Sequence, residues 1–439
     1  MKLFNKTLAV SLVICLVIAL TFTLTACLSF ESIDEVYDDS NSTSTDNTNI
    51  PIEGATGNSY EVITQVGTPS NTATELTEVV DAIQTSVVII TTDSSTGSGV
   101  IYGKVSGENS SMIVTCCHVI DGASKIEVTL NDGDLDSDND VKLDAKLIGM
   151  DDESDLAVLK ISGSDYNYAE LRNTEEAPIK LAEQAIAIGN PLGAGISVTV
   201  GHISGISKTI NMEGVNMTLL QTDAAVNSGN SGGALFDAEG YLIGIVNAKS
   251  TGSSVEGMGY AIPVYDVISI SNSFIKTAGN SKYNGLGYID GKIRLGVTVI
   301  TCKRDLLTNT ESTFYIKDTT RLPASGNFYY CVSALNNYGS LAISDTNKQI
   351  YPSTTSNLLY IKGLSFTQGG QNVTKGFNDE FELSTFLKSA KVGDVVTLHM
   401  LEQVVSTSGN LITGYTYSYS YREFDVTITL QQYVYGYKG

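Results

Sequence analysis

The chain has 439 residues, and Lys and Arg total 26 against 48 Asp and Glu, which gives a formal net charge of −22. An acidic excess of this size excludes nucleic acid as a partner, because such binding depends on Lys and Arg neutralising phosphates. Six cysteines with no CxxC spacing exclude a disulfide scaffold and a zinc-finger type of metal site.

The first 26 residues predict a signal peptide of the lipoprotein type. Lys2 and Lys6 precede an uncharged apolar stretch, Thr7–Ala26, which is the layout of an export signal. The stretch ends in Leu-Thr-Ala followed by Cys27, which resembles the bacterial lipobox and predicts lipid attachment at that cysteine. Twenty apolar residues can also span a bilayer, so a single N-terminal transmembrane anchor stays an alternative. Either way, the prediction is an extracytoplasmic chain attached to the cell membrane.

Residues 27–73 predict a disordered acidic tether. The segment is rich in Ser, Thr, Asn and Asp, and no Lys or Arg occurs between Lys6 and Lys104. Such a composition buries too little apolar surface to fold, and its like charges favour an extended chain. We therefore expect the folded part to begin near residue 74.

From residue 74 the pattern is mostly β. Leu76, Val79, Val80 and Ile83 have helical spacing, and short β-branched runs separated by Gly, Asn, Asp and Ser follow. The runs that predict strands are Gly99–Tyr102, Met112–Thr115, Lys125–Leu130, Leu156–Ile161, Ala185–Ile188, Ile196–Thr199, Leu219–Thr222 and Tyr241–Val246. Short strands at close spacing favour barrels or sandwiches. A Gly-rich gap then separates residues 74–275 from a second β-rich unit, 284–432.

Three residues predict nucleophilic catalysis. Ser231 lies between glycines in Gly-Asn-Ser-Gly-Gly, where the backbone can turn sharply and expose the hydroxyl. His118 directly follows a predicted strand, and Asp155 immediately precedes another. A serine, a histidine base and a buried carboxylate are the parts of a catalytic triad. The other two histidines, His202 and His399, lie within predicted strands and are interpreted as packing or surface residues.

Six motifs occur in the order GSGVIY, IVTCCHVIDGA, LIGMDDESDLAVLKI, AIAIGNPLG, LLQTDAAVNSGNSGGALFDAEGYLIGIV and MGYAIPV. This series resembles the HtrA/DegP family of chymotrypsin-fold serine proteases. The resemblance implies a double β-barrel with the site between the barrels, His118 as general base, Asp155 as its orienting carboxylate and Ser231 as nucleophile. It further implies an oxyanion hole at Gly229, Asn230 and Ser231, with Asn230 shaping the turn, a homotrimer, and no cofactor or metal.

The resemblance also predicts substrate preference. In this fold the residue six positions before the nucleophile lies at the base of the S1 pocket, and here that residue is Ala225, with Val226 beside it. Because neither carries a charge to pair with Lys or Arg, we expect small or aliphatic P1 residues.

The second unit resembles a divergent PDZ domain. Its Leu295-Gly296-Val297 turn would bind the carboxylate of a peptide C-terminus, with the peptide added to the sheet edge. Loss of peptide binding stays an alternative, and Cys302 and Cys331 could pair. Elsewhere, Cys116 and Cys117 are expected as reduced thiols, and the alternating aspartates of 132–140 as a solvated loop rather than a calcium site.

These predictions describe a membrane-anchored serine endopeptidase that cleaves unfolded or damaged exported polypeptides. Two alternatives stay open. One is a non-catalytic module that binds or chaperones polypeptides. The other is a dedicated signalling protease with few substrates.

Overall fold

The protein was analysed as a computed structural model. It describes residues 60–70, 75–133, 141–191, 195–212, 215–248, 258–295, 297–303, 328–335, 358–368, 371–377, 382–410 and 414–435. The predicted signal peptide, the lipidation site at Cys27 and the tether before residue 60 lie outside these ranges. Among the described residues, no helix is long and apolar enough to cross a membrane.

The first sheet is an antiparallel half-barrel of eight strands. Its strands are β1 (Val62–Thr64), β3 (Val87–Thr92), β4 (Thr96–Val105), β5 (Ser110–Cys116), β6 (Ile126–Thr129), β7 (Lys142–Asp144), β8 (Lys146–Asp151) and β9 (Leu156–Ser162). They pair in the order β7-β6-β3-β4-β5-β9-β8, with β1 added to β4. Every residue of β5 is buried, as its central position in the sheet requires.

The second sheet closes into a barrel. Its strands are β2 (Val66–Gly67), β10 (Leu171–Arg172), β11 (Gln184–Gly189), β12 (Ser197–Met212), β13 (Val215–Thr222), β14 (Ala234–Asp237), β15 (Leu242–Asn247) and β16 (Gly259–Pro263). The order is β14-β11-β12-β13-β16-β15-β10-β2, and an additional pairing of β14 with β15 completes the ring. The eight strand runs predicted from the sequence all fall on strands of these two sheets, and the mostly β, double-barrel prediction is confirmed.

Within the described ranges, four helices accompany the sheets: α1 (Leu76–Ile83), α2 (Cys117–Ile120), α3 (Val264–Thr277) and α4 (Glu382–Ser389). Two single 3₁₀ turns occur at Gln84–Ser86 and Ser281–Tyr283. The helical spacing that predicted α1 is confirmed, and Val79 on its apolar face is buried. Helix α3 buries Phe274 and Val267 in the same core as the first barrel.

The boundary predicted at residue 74 is wrong, because order begins earlier. Strand β1 pairs with the end of β4, and β2 pairs in parallel with β10. Strand β1 therefore belongs to the first sheet and β2 to the second, so residues 62–67 contribute to both barrels. Alternating apolar residues in Tyr-Glu-Val-Ile-Thr-Gln-Val carried this signal, but the polar composition on either side obscured it.

In the part of the C-terminal unit that the structure describes, a six-stranded antiparallel sheet is accompanied by one helix. Its strands are β17 (Val297–Lys303), β18 (Phe328–Leu335), β19 (Leu358–Gln368), β20 (Gln371–Lys375), β21 (Val395–Asn410) and β22 (Gly414–Thr429), in the order β17-β18-β19-β21-β22 with β20 on β19. A separate core that includes Leu364, Phe377, Leu398 and Val426 stabilises it. The PDZ resemblance of this unit stays a prediction.

An ionic cluster joins the start of the C-terminal unit to the first barrel. Lys292 contacts Asp151 at 2.6 Å and Glu153 at 2.8 Å, and Arg294 contacts Asp152 at 2.6 Å. Because Asp151 and Lys292 are largely buried, these contacts are less screened by solvent than surface pairs. We call this set of five residues the linker clamp.

The end of the described chain returns to the same place. The Tyr433 hydroxyl donates to Asp152 at 2.7 Å, and the Tyr435 hydroxyl donates to Asp121 at 2.9 Å. Tyr433 and Tyr435 are buried in the core of the barrels. The predicted units, 74–275 and 284–432, therefore leave out the contribution of Tyr433 and Tyr435 to the core of the first unit.

We expect Lys292→Met to loosen this connection. The variant keeps the aliphatic stem but leaves the Asp151 carboxylate without its ammonium partner, at a cost of about 2 kcal/mol. Amide hydrogen exchange of residues 287–295, followed by mass spectrometry, should accelerate by about thirtyfold. Lys276→Met is the matched control, since the Lys276–Asp290 pair is exposed and 3.9 Å long. Equal, small changes in both variants would contradict the assignment.

The charge of the clamp persists through the neutral range. Burial alone would lower the pKa of Lys292, but the Asp151 and Glu153 carboxylates outweigh it and leave that pKa above the ordinary lysine value. A folded-state pKa above the unfolded one means that the stabilisation is complete below the ordinary lysine pKa. It is lost only as the pH rises through the raised value.

Candidate active site

His118 and Asp155 meet because of the register of two neighbouring strands. In the antiparallel pair β5–β9, Cys116 lies opposite Leu156. The residues that follow β5 therefore lie beside the residue that precedes β9. His118 is in the short helix α2 that begins at Cys117, and the Cys117 N–H donates to the Asp155 carbonyl at 3.0 Å.

The Asp155 carboxylate fixes the imidazole of His118. One oxygen accepts the His118 backbone N–H at 3.0 Å, and the other lies 2.6 Å from His118 Nδ1. The Asn247 amide also donates to this second oxygen, at 2.9 Å. Because a buried carboxylate only accepts hydrogen bonds, Nδ1 carries the proton and Nε2 is left as the basic nitrogen. Asp155 has 1% of its surface exposed, so these donors satisfy a charge that burial would otherwise destabilise.

Ser231 lies in the tight turn before β14. Gly229 and Gly232 on either side of it have positive φ values of 93° and 82°, which favour glycine. A side chain at Gly232 would lie 2.2 Å from the Ser98 carbonyl and 2.3 Å from Thr115 Oγ1. The turn therefore packs directly against β4 and β5 of the other barrel.

Ser98 in β4 holds this turn across the gap between the barrels. Its N–H donates to the Ser231 carbonyl at 2.9 Å, and its hydroxyl donates to the Gly229 carbonyl at 2.8 Å. The same hydroxyl accepts the Asn190 N–H at 2.9 Å. Ser98 has no exposed surface, so these bonds are protected from water and fix the position of the nucleophile loop.

The Ser231 hydroxyl accepts the Ala248 N–H at 3.1 Å. No hydrogen bond joins it to His118 among the residues described. The structure thus brings the three predicted catalytic residues to one place, with the His118–Asp155 link made and the Ser231–His118 link open.

Residues 97–245, which contain all three of these side chains, match the family described as the trypsin-like peptidase domain. This segment is thus similar to trypsin-like peptidase domains. The predicted resemblance to HtrA-type serine proteases is confirmed for this part of the chain.

Relatives of the peptidase domain include two proteins of Bacillus subtilis. The serine protease Do-like HtrA is 38% identical over 207 residues, which cover 45% of this chain and 44% of that protein. The serine protease Do-like HtrB is 43% identical over 185 residues, with 41% and 38% covered. The chain thus spans less than half the length of these relatives. A solved serine endoprotease from Yersinia pestis matches 82% of this chain and 99% of its own, at 21% identity and a TM-score of 0.46.

The three backbone amides predicted to form the oxyanion hole differ in whether they already donate a hydrogen bond. The Asn230 N–H donates to the Asn227 carbonyl at 3.0 Å, so its amide is used within the turn. The amides of Gly229 and Ser231 have no acceptor among the described residues. Asn230 is buried, and its Oδ1 lacks a hydrogen-bond partner within the same described ranges. The candidate donors are therefore the amides of Gly229 and Ser231, with Asn230 within the turn, and the oxyanion hole stays a prediction.

The predicted S1 residues, Ala225 and Val226, lie between β13 and the turn that carries Ser231. The Ala225 carbonyl accepts the Thr199 hydroxyl at 2.9 Å, and Val226 is half-buried against an apolar cluster. A side chain at Gly259 would lie 2.7 Å from Val226. Ala225 and Val226 are uncharged and not large. The preference for small or aliphatic P1 residues stays a prediction.

Cys116 and Cys117 are both buried and unbridged. Burial, followed by the nearby Asp155 carboxylate, raises the pKa of Cys117 well above the ordinary thiol value, so it stays protonated at neutral pH. The donor atoms of Cys116, His118 and Asp155 lie within 4.8 Å of one another, a spacing that could hold a metal ion. Coordination there would break the His118–Asp155 hydrogen bond.

The remaining predicted residues lie in the C-terminal unit, in the acidic loop and at His202. Leu295 is buried in the C-terminal core, Gly296 lies outside the described residues, and Val297 begins β17. Cys302 lies opposite Tyr329 in the strand register and not opposite Cys331. The aspartates of 134–140 lie outside the described ranges. His202 is an exposed residue near Asp223, as interpreted from the sequence.

Sequence reasoning missed Asn247 and Ser98. Asn247 ends the apolar run Leu-Ile-Gly-Ile-Val, and a polar residue at the end of a buried strand was an available signal. Ser98 lies between two glycines in Gly-Ser-Gly. That pattern indicates a close backbone approach but does not say which loop approaches.

Proposed function

We propose that the chain is a serine endopeptidase of the HtrA type that cleaves polypeptides through an acyl-enzyme. The observation that carries the proposal is the His118–Asp155–Asn247 hydrogen-bond network placed beside the Ser231 turn. It leaves His118 Nε2 as a base next to the only seryl hydroxyl in the predicted nucleophile motif.

In the first step, Ser231 Oγ bonds to the scissile carbonyl carbon and its proton passes to His118 Nε2. The Asp155 carboxylate stabilises the imidazolium that forms. His118 then gives the proton to the leaving amine as the peptide C–N bond breaks. Water attacks the acyl-serine by the same route, which releases the acid and restores Ser231.

The Ser231 hydroxyl oxygen accepts the Ala248 N–H, which leaves its proton free to be donated to His118 Nε2 when substrate binds. The free amides of Gly229 and Ser231 would receive the oxyanion that develops on the attacked carbonyl. The glycine conformation at 229 supports this, because it lets an N–H face the cleft.

We propose the remaining features from the sequence. A signal peptide with lipid attachment at Cys27 would hold the enzyme outside the cytoplasm on the membrane. Unfolded or damaged exported proteins with small or aliphatic P1 residues would be its substrates. The C-terminal unit would bind peptide C-termini through Leu295, Gly296 and Val297, and the assembly would be a homotrimer.

The proposal is tested with purified residues 28–439, a fluorophosphonate probe and unfolded casein. We expect the probe to label Ser231, as mapped by mass spectrometry, and casein to be cut after Val, Ile or Ala. Prior labelling should block digestion. Absence of both labelling and digestion, with peptide activators present, would contradict the enzyme proposal, and cuts after Lys or Arg would overturn only the P1 preference.

A further inference from the structure

A second hydrogen-bonded series of serine, histidine and aspartate lies in the C-terminal sheet. Ser365 Oγ is 2.6 Å from His399 Nε2, and His399 Nδ1 is 2.7 Å from Asp425 Oδ1. The sequence interpretation of His399 as a packing or surface residue is incomplete, because both of its ring nitrogens have polar partners.

Strand register brings the three side chains to one face. His399 in β21 lies directly opposite Asp425 in β22, and Ser365 in β19 lies opposite Thr397. Since side chains two residues apart share a face, Ser365 and His399 are diagonal neighbours. A side chain at Gly363, the residue opposite His399, would lie 2.6 Å from the Lys375 carbonyl, so the backbone at the end of β20 packs close to this position.

The hydrogen bonds have one consistent direction. The Asp425 carboxylate only accepts, so His399 Nδ1 carries the proton and a neutral ring leaves Nε2 as an acceptor. The Ser365 hydroxyl therefore donates to Nε2. Ser365 Oγ in turn can accept from the Thr374 hydroxyl, which lies 2.7 Å away. A seryl proton directed at a basic imidazole nitrogen is the arrangement that activates a nucleophile.

The series borders a cavity of about 520 Å³ that His399 and Asp425 line. Thr374, Lys375, Met400 and Phe424 also line it. Ser365 is not among the lining residues and adjoins the cavity through its hydrogen bonds to His399 and Thr374. A cavity of this size and polarity fits a small ester and not a folded polypeptide.

We propose that Ser365 is a second nucleophile, which hydrolyses small carboxylic esters. Its Oγ bonds to the ester carbonyl carbon while its proton passes to His399 Nε2. The C–O bond to the alcohol breaks, and the alcohol takes that proton. Water then hydrolyses the acyl-serine, releasing the acid and restoring the hydroxyl. This activity is separate from the peptidase site.

The test uses the full chain carrying Ser231→Ala, so that the peptidase nucleophile is absent. We expect p-nitrophenyl acetate hydrolysis above the buffer rate and, with a fluorophosphonate probe, an adduct on the peptide that contains Ser365. Adding Ser365→Ala or His399→Gln should lower the hydrolysis rate by about 100-fold. We expect this lower end of the range for a positioned base because the Asp425 side chain, which orients His399, is 63% exposed.

Ser418→Ala in the same background is the matched control, since Ser418 lies in β22 and bonds only a backbone carbonyl. It should leave hydrolysis unchanged. The adduct is measured in a chain that keeps Ser365, so this result does not depend on whether a Ser365 variant folds. Absence of that adduct, or hydrolysis that persists when Ser365 is replaced, would overturn the proposal.

Discussion

Ser231→Ala should lower casein cleavage by about 10⁶-fold in kcat, because it removes the hydroxyl that attacks the scissile carbonyl. The fold should survive, since among the described residues the Ser231 side chain makes one hydrogen bond, as acceptor from the Ala248 N–H. Single-turnover cleavage of a fluorogenic peptide would measure the loss without interference from product release.

Ser228→Ala is the matched control for this change. Ser228 lies three residues earlier in the same turn and is exposed, so its replacement should change kcat less than twofold. If the Ser231 variant kept more than a hundredth of the activity, the nucleophile would have to be elsewhere in the chain.

Gly232→Ala should destabilise the peptidase domain by about 2–5 kcal/mol, the sum of left-handed strain and overpacking. Its φ is 82°, and the added methyl would approach the Ser98 carbonyl and Thr115 Oγ1 at 2.2 and 2.3 Å. These atoms belong to the opposite barrel, so the turn has to move away from it. Urea unfolding would measure the lost stability, and fluorophosphonate labelling would measure the displacement of Ser231.

Gly107→Ala separates the two contributions. Gly107 has a similar φ of 76°, but nothing lies within 4 Å of the added methyl. It should cost only about 1 kcal/mol of strain and leave labelling unchanged. Equal costs at the two positions would show that contact between the barrels contributes nothing at Gly232.

The catalytic residues could be predicted from the sequence because each lies at the end of a strand with a strong local pattern. His118 follows a fully apolar run, Asp155 precedes another, and Ser231 lies among glycines. The partners that position them could not be predicted in the same way. Ser98 is 133 residues from Ser231, and only the packing of one barrel on the other shows which loop it holds.

The C-terminal unit shows the same limit more clearly. Ser365, His399 and Asp425 belong to three strands, and no motif links them in the sequence. Their contact depends on the register of β19, β21 and β22, which a shift of one residue would destroy by turning each side chain to the other face. Alternation in the sequence predicts a strand, but it does not predict which residue lies opposite another.

Strands β1 and β2 affect where the chain can be shortened. A fragment begun at residue 74 would lose both strands, and the backbone of Gly103–Val105 and Leu171–Arg172 would lose its neighbours. Unpaired strand edges recruit strands from other molecules. We therefore expect residues 62–67 to reduce self-association, because they pair with backbone in each barrel that would otherwise be exposed.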